Sequence, residues 1–169
     1  MTDGHHELKR ISPDGIPHAL EMAERYRLLN DPAQAESIYR DVLAADPDNQ
    51  TALRALILAL TDQFGAGGAA AAAREARGHI AQLDDEYDRA YYTGIVYERE
   101  TRAYLARKNV VRSAAYDGFR HAMEWYERAE ALRPPPGNVD ALLRWNSCVR
   151  AIERERLEPG PSDPELPLE

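Results

Sequence analysis

Apolar side chains recur along this chain at intervals of three and four residues, which is the spacing of one face of an α-helix. The first periodic stretch runs from Ile16 to Leu29, where Ala19, Met22, Ala23 and Tyr26 share a face, and the second ends at about Ala45. A third covers about 49–62, and a fourth follows a glycine-rich loop and ends near Leu83. We find none of the strict alternation of apolar and polar residues that predicts a strand. An all-α fold is therefore expected.

Polar residues and prolines mark where these helices begin and end. Asp31 directly precedes Pro32, and this pair predicts a capped helix start, because aspartate accepts backbone N–H groups and proline suits the first turn. The acidic run 84–86 lies where the fifth helix should begin, since carboxylates are favoured at the positive end of a helix dipole. The Pro134-Pro-Pro-Gly137 segment predicts a break before a seventh helix over about 139–156.

The stretch between Tyr87 and Arg133 contains no proline and keeps helical spacing throughout, so two long helices are expected, the fifth and the sixth. We place their turn at Lys108-Asn109, because asparagine tolerates the left-handed conformation that ends a helix. The alternative is a turn at Asp117-Gly118. The first placement is preferred because it keeps residues 116–123 on one uninterrupted helix.

One spacing of small, aromatic and proline residues occurs twice. Ala35, Tyr39 and Pro47 have the same spacing as Ala122, Tyr126 and Pro134, and matching upstream triplets are Ala19, Ala23, Tyr26 and Ala90, Gly94, Tyr97. Small residues let two helices approach, an aromatic ring fills the gap, and proline ends the helix. The step from Tyr26 to Ala35 is 9 residues and the step from Tyr97 to Ala122 is 25. The surplus predicts that helices 5 and 6 are each longer by about eight residues, or about 12 Å.

This pattern resembles the tetratricopeptide repeat family. The resemblance implies an all-α, TPR-like right-handed α-solenoid of about three helix-turn-helix units plus a C-terminal capping helix, with elongated helices in the third unit. Such a domain would span 16–156, after a flexible leader at 1–15. The second unit matches less well, because Arg77 stands where the family usually has an aromatic residue. Residues 157–169 contain four prolines, four acidic residues and no basic one, so a disordered tail is expected there.

The resemblance also implies a function, namely a protein–protein interaction scaffold or adaptor whose first helices line a concave groove for a peptide or partner helix. Carried onto this chain, the groove residues are Leu20, Glu24, Arg27, Arg54, Leu58, Tyr91, Ile95, Glu98, Leu143 and Arg150. Apolar positions interspersed with arginine suit a segment with hydrophobic anchors and carboxylates. We expect Arg54 and Arg150 to face the same cavity. The alternative is a regulatory domain that senses a small ligand or peptide, or acts through self-association.

Composition narrows the classes of partner. The 169 residues carry a formal net charge of −8, which argues against nucleic-acid binding because that requires clustered basic residues. No apolar run approaches the roughly 20 residues that cross a bilayer, and no export signal opens the chain, so a cytoplasmic location is expected. Lysine occurs only at Lys9 and Lys108 while arginine is abundant, which we associate with a bacterial genome rich in G and C.

The sequence shows no constellation typical of catalysis or of metal or cofactor binding. The His5-His6-Glu7 group lacks partners at defined spacing, and the Gly65-Ala-Gly-Gly68 loop follows a helix rather than the strand that a phosphate-binding loop needs. Glu98 and Arg102 are interpreted as an exposed pair four residues apart. Cys148 has apolar helical neighbours, which predicts a buried thiol. A protein that is not an enzyme is therefore expected.

Tyrosines are concentrated on helix 5, and most should pack against the aromatic residues of helix 6. Tyr91 and Tyr92 are adjacent and point about 100° apart, so one of the two rings is expected to face away from the helix pair. An elongated hairpin rich in Tyr and Ala would expose apolar surface, and such surface usually marks contacts. A homodimer through helix 5, helix 6 or the terminal helix is the resulting hypothesis.

Overall fold

The structure, a computed structural model, describes residues 6–161, and within this range it contains seven α-helices and no β-strand. The all-α prediction is therefore confirmed. The helices are α1 (Ile16–Leu28), α2 (Pro32–Ala45), α3 (Gln50–Asp62), α4 (Ala69–Ile80), α5 (Glu86–Leu105), α6 (Arg112–Leu132) and α7 (Asp140–Glu155), with short 3-10 turns at Pro13–Gly15 and Phe64–Ala66. The ends of the predicted leader and tail, and the His5-His6-Glu7 group in part, lie outside the described residues.

The described residues divide into two compact units, one that ends at Asp84 and one that starts at Asp85. The first unit contains α1 to α4 and the second contains α5 to α7. A single domain over 16–156 and its solenoid arrangement stay predictions. None of the described helices is both long enough and apolar enough to cross a bilayer.

In the first unit each helix packs against the next along the chain. Its core consists mainly of Ala23, Ala35, Tyr39, Val42, Leu53, Leu56 and Ile57. The predicted cap is confirmed, because the Asp31 carboxylate accepts the Gln34 backbone N–H at 3.2 Å. Ion pairs join helices that are not consecutive, with Arg27 of α1 contacting Asp62 of α3 at 3.0 Å. Met22 is 36% exposed, which is more than its spacing predicts.

The second unit contains the two long helices that the sequence predicts. α5 and α6 have 20 and 21 residues, against 13 and 14 in α1 and α2. The turn between them includes Asn109 at φ 61°, so the preferred placement is confirmed. The alternative turn at Asp117-Gly118 is wrong, because Gly118 lies within α6, where a Cβ atom would collide with the Thr101 hydroxyl of α5. This glycine permits a close helix approach rather than a turn.

Several local predictions for the second unit can be compared directly with its contacts. The Asp85 carboxylate accepts the Tyr87 N–H at 2.9 Å and so caps α5, and Cys148 is buried as expected. Tyr91 and Tyr92 pack edge to face with ring centroids 5.4 Å apart, and both residues are half-buried. Leu157, the first residue of the predicted disordered tail, is instead buried, and its N–H donates to the Ile152 carbonyl at 2.9 Å.

Candidate functional site

A buried carboxylate, Glu98, occupies the centre of the second unit. Its exposed fraction is 1%. Glu98 lies three residues after Ile95 and seven after Tyr91, so the three residues share one face of α5. The prediction of an exposed Glu98–Arg102 pair is therefore wrong for the glutamate, because side chains from α6 and α7 close over it.

Three donors satisfy this carboxylate. The Tyr126 hydroxyl of α6 donates to Oε2 at 2.7 Å, while Arg102 Nε and Arg144 Nη1 donate to Oε1 at 3.0 and 3.4 Å. A charge buried without such partners would cost several kcal/mol. The contacts explain why a glutamate is tolerated in this core, and they join α5, α6 and α7 through one residue.

Both arginines extend from the buried carboxylate toward the surface. Their side chains are 35% exposed for Arg102 and 29% exposed for Arg144. Arg102 Nη2 also donates to the Ser147 hydroxyl at 3.0 Å, and Arg144 hydrogen-bonds the Tyr91 phenol. Two guanidinium groups beside one carboxylate leave a local charge of +1, in a chain whose net charge is −8. We call Glu98, Arg102 and Arg144 the arginine pair site.

The pKa values in this site follow from burial and from Glu98. Burial raises the pKa of Tyr126, and the adjacent Glu98 carboxylate raises it further, so the phenol stays protonated and keeps donating. Burial alone would lower the pKa of Arg144, but Glu98 together with the phenols of Tyr126 and Tyr91 outweighs burial, and the net shift is upward. Burial and then Glu98 raise the pKa of the Cys148 thiol to about 12. Because the thiolate is the reactive form, Cys148 is a poor nucleophile at neutral pH.

The first unit contains a weaker version of the same contact. Tyr39 corresponds to Tyr126 in the spacing of alanine, tyrosine and proline that occurs twice in the sequence. Its hydroxyl donates to Glu24 Oε2 at 3.4 Å. Burial, followed by the Glu24 charge, raises the pKa of Tyr39 to about 12. The Glu24 side chain is 51% exposed, whereas Glu98 is enclosed. Both repeat tyrosines therefore bond a glutamate of the preceding helix, and the second unit alone buries that glutamate.

The ten predicted groove residues differ widely in exposure. Ile95 and Glu98 are buried, so their side chains present no surface to a partner, which corrects the expectation for these two. Arg27 forms ion pairs with Glu24 and Asp62. Leu20, Arg54, Leu58 and Tyr91 are half-buried, while Leu143 and Arg150 are exposed on α7. Five of the ten belong to each unit, and their assembly into one groove stays a prediction, as does the shared cavity of Arg54 and Arg150.

Two partners of Glu98, Arg144 and Tyr126, were not predicted from the sequence, and neither was Ser147, which bonds Arg102. A usable signal was present, because Glu98 lies three residues after the apolar Ile95 and therefore on the same face of its helix. A charged residue on a buried face requires partners from other helices. Their identity is not encoded locally, since Ser147 and Arg144 follow Glu98 by more than 40 residues.

Comparison with known proteins identifies no relative, since no family model, no curated protein and no solved structure matches the chain. Within residues 6–161 we also find no group of three or more His, Cys, Asp or Glu side chains that could hold a metal ion. The function must therefore be argued from the arrangement of side chains.

Proposed function

We propose that the protein is a non-catalytic interaction scaffold of the tetratricopeptide type, and that its second unit binds a peptide segment bearing a carboxylate. The observation that carries this proposal is the arginine pair site, where one buried glutamate holds two partly exposed guanidinium groups. The burial of the repeat residues Ala35, Tyr39, Ala122 and Tyr126 supports the family resemblance.

The contacts with Glu98 prepare the arginines for an anionic ligand. Each guanidinium has five N–H donors, and the hydrogen bonds to Glu98 and Ser147 occupy two of the five on Arg102. These bonds already restrict the conformation of the Arg102 side chain. Binding of a ligand carboxylate therefore costs less conformational entropy than it would with a mobile arginine. Arginine also suits this role because it binds carboxylates through two parallel hydrogen bonds.

Nearby residues on α7 supply apolar and further basic surface. Leu143 is 56% exposed, and Arg150 follows it by seven residues, which places both on one face of α7. A segment with a hydrophobic anchor and one or more acidic residues would match this combination. The site therefore favours an acidic amphipathic peptide over a neutral or basic one.

The test uses one leucine-anchored peptide made in three versions, with Glu, Gln or Lys at its polar positions, and fluorescence anisotropy as the readout. We expect the Glu version to bind the protein and to bind less tightly as salt is added. Arg144→Lys keeps the charge but removes the planar donor pair, so weaker binding is expected. Arg154→Gln, at an exposed position near the end of α7, is the matched control. Equal affinity for all three peptides, with no effect of Arg144→Lys in a protein of unchanged melting temperature, would reject the proposal.

A further inference from the structure

Two adjoining cavities lie along α6 and α7 of the second unit. One has a volume of about 330 Å³ and is lined by Glu127, Glu130, Leu142, Trp145 and Asn146. The other has a volume of about 350 Å³ and is lined by the same two glutamates with Ala131 and Pro134. We refer to the pair as the α6–α7 groove. Each volume lies within the range of about 300–1,000 Å³ that is usual for ligand sites.

The groove combines apolar walls with an acidic rim. Leu142, Trp145, Ala131 and Pro134 supply the apolar surface, and the shared residues Glu127 and Glu130 supply two carboxylates. The indole Nε1 of Trp145 donates to Glu127 Oε1 at 3.0 Å, which fixes the orientation of the ring. None of the residues that line the two cavities is basic. The charge of this surface is thus opposite to that of the arginine pair site.

We propose that the α6–α7 groove binds a basic amphipathic segment of a partner protein. An apolar side chain of that segment packs against Trp145 and Leu142, and its Lys or Arg side chains pair with Glu127 and Glu130. Tryptophan surfaces of this kind often dominate the energy of protein interfaces. Charge complementarity selects this occupant, because the tail at 157–169, with four acidic residues and no basic one, would meet like charge, and the net repulsion between two copies of charge −8 disfavours a second copy. This surface lies beyond the function proposed above and requires a different peptide.

Trp145 provides a direct spectroscopic reporter. The chain has two tryptophans, so Trp125→Phe leaves the indole in the groove as the sole tryptophan signal. Titration with the Lys version of the leucine-anchored peptide should change Trp145 emission saturably, and the Glu version should not. Replacing both rim glutamates, Glu127→Gln with Glu130→Gln, should weaken binding by about tenfold, the loss expected for two partly exposed charge pairs. Glu124→Gln, an exposed position on the same helix, is the matched control and should bind normally.

Three outcomes would overturn the proposal. Equally tight binding of the Lys peptide to the double glutamine variant and to the parent would show that the two rim glutamates play no role. Binding seen by anisotropy without any change in Trp145 emission would place the peptide elsewhere. A change in Trp145 emission with protein concentration alone would identify a second copy as the occupant. Since the arginine pair site is tested with the Glu peptide and Arg144→Lys, the two proposals fail independently.

Discussion

Replacing Glu98 with glutamine would remove the negative charge that lies between Arg102 and Arg144. Breaking a buried ion pair from one side costs about 3–5 kcal/mol, and the partial exposure of the guanidinium groups reduces this to about 2–4 kcal/mol here. Urea denaturation would measure the change in unfolding free energy. Glu124→Gln, which changes an exposed carboxylate of α6, should remain within about 0.5 kcal/mol of the parent. A similar small effect for Glu98→Gln would show that the site contributes little to stability.

The two repeat tyrosines offer a matched comparison. Tyr126→Phe deletes a fully buried hydroxyl that donates to Glu98 at 2.7 Å, so a loss of about 1.5–3 kcal/mol is expected for a hydrogen bond to a charged group. Tyr39→Phe deletes the longer contact to the exposed Glu24 and should cost less than about 1 kcal/mol. Chemical denaturation of both variants tests this order. A larger loss for Tyr39→Phe would contradict it.

The same hydroxyls predict how stability changes in alkaline solution. Burial raises the pKa values of Tyr126 and Tyr39, the latter to about 12, above the value of 10.0 for an unperturbed tyrosine. Above pH 10 the unfolded chain therefore releases these protons before the folded chain does, and stability falls as pH rises. Their contribution is fully present below pH 10, and that of Tyr39 is lost as pH passes about 12. Urea titrations from about pH 8 to 11.5 should show this decline, and Tyr126→Phe should make it less steep. An equally steep decline in that variant would exclude Tyr126 as a cause.

Individual residues differ in how far the sequence predicts their roles. Asp31 and Asp85 were predictable, because a cap bonds a backbone group two or three residues away. The spacing of Glu98 and Arg102 does not predict that Glu98 is buried. Residues four apart on a helix come together whether their face is exposed or buried. What decides its environment is the presence of Tyr126 and Arg144, which the chain brings from two later helices.

At the scale of helices, α5 and α6 approach closely at two glycines. A Cβ at Gly94 would lie 2.6 Å from Cε1 of the Tyr126 ring, and one at Gly118 would collide with Thr101. Tyr126 is fully buried and cannot move aside, so Gly94→Ala should destabilise the protein by about 1–3 kcal/mol, the usual cost of overpacking.

Gly78 of α4 is the matched control for this substitution. Nothing lies within 4 Å of a Cβ placed there, and the residue is exposed within its helix. Gly78→Ala should therefore stabilise the protein by about 0.5–1 kcal/mol, because alanine is the better helix former. Thermal and urea denaturation of the two variants measure both effects. A neutral or stabilising Gly94→Ala would show that the two helices can separate without cost.

Helix positions were largely predictable, and their contacts were not. Periodicity and caps place most helix ends within a few residues, and the left-handed Asn109 marks the turn between α5 and α6. Gly118 shows the limit, since a glycine signals either a turn or a close helix approach. Its meaning depends on Thr101, a residue of another helix. The correct alternative was preferred because it keeps residues 116–123 on one uninterrupted helix, as α6 does.

For the molecule as a whole, the sequence predicts net charge more directly than assembly. The formal charge of −8 at pH 7 follows from composition alone. Which surface binds a partner depends on where the charges gather, and the second unit carries both a basic site around Glu98 and an acidic groove around Trp145. The average composition conceals this division, because it sums over opposite charges.

The homodimer hypothesis is the last whole-molecule prediction, and net charge provides its test. Two copies that each carry −8 repel one another, and added salt screens that repulsion while leaving apolar contacts in place. Exposed apolar residues such as Val111 in the α5–α6 turn and Leu143 on α7 would supply the contacts. If the dimer forms through them, light scattering at tens of micromolar should give a mass above 19.0 kDa that increases with salt. Leu143→Glu should lower this mass. Trp145 emission should stay constant as the dimer forms, because these contacts do not involve the α6–α7 groove. A mass of 19.0 kDa at both low and high salt would show that the chain is monomeric and that its exposed apolar residues do not join two copies.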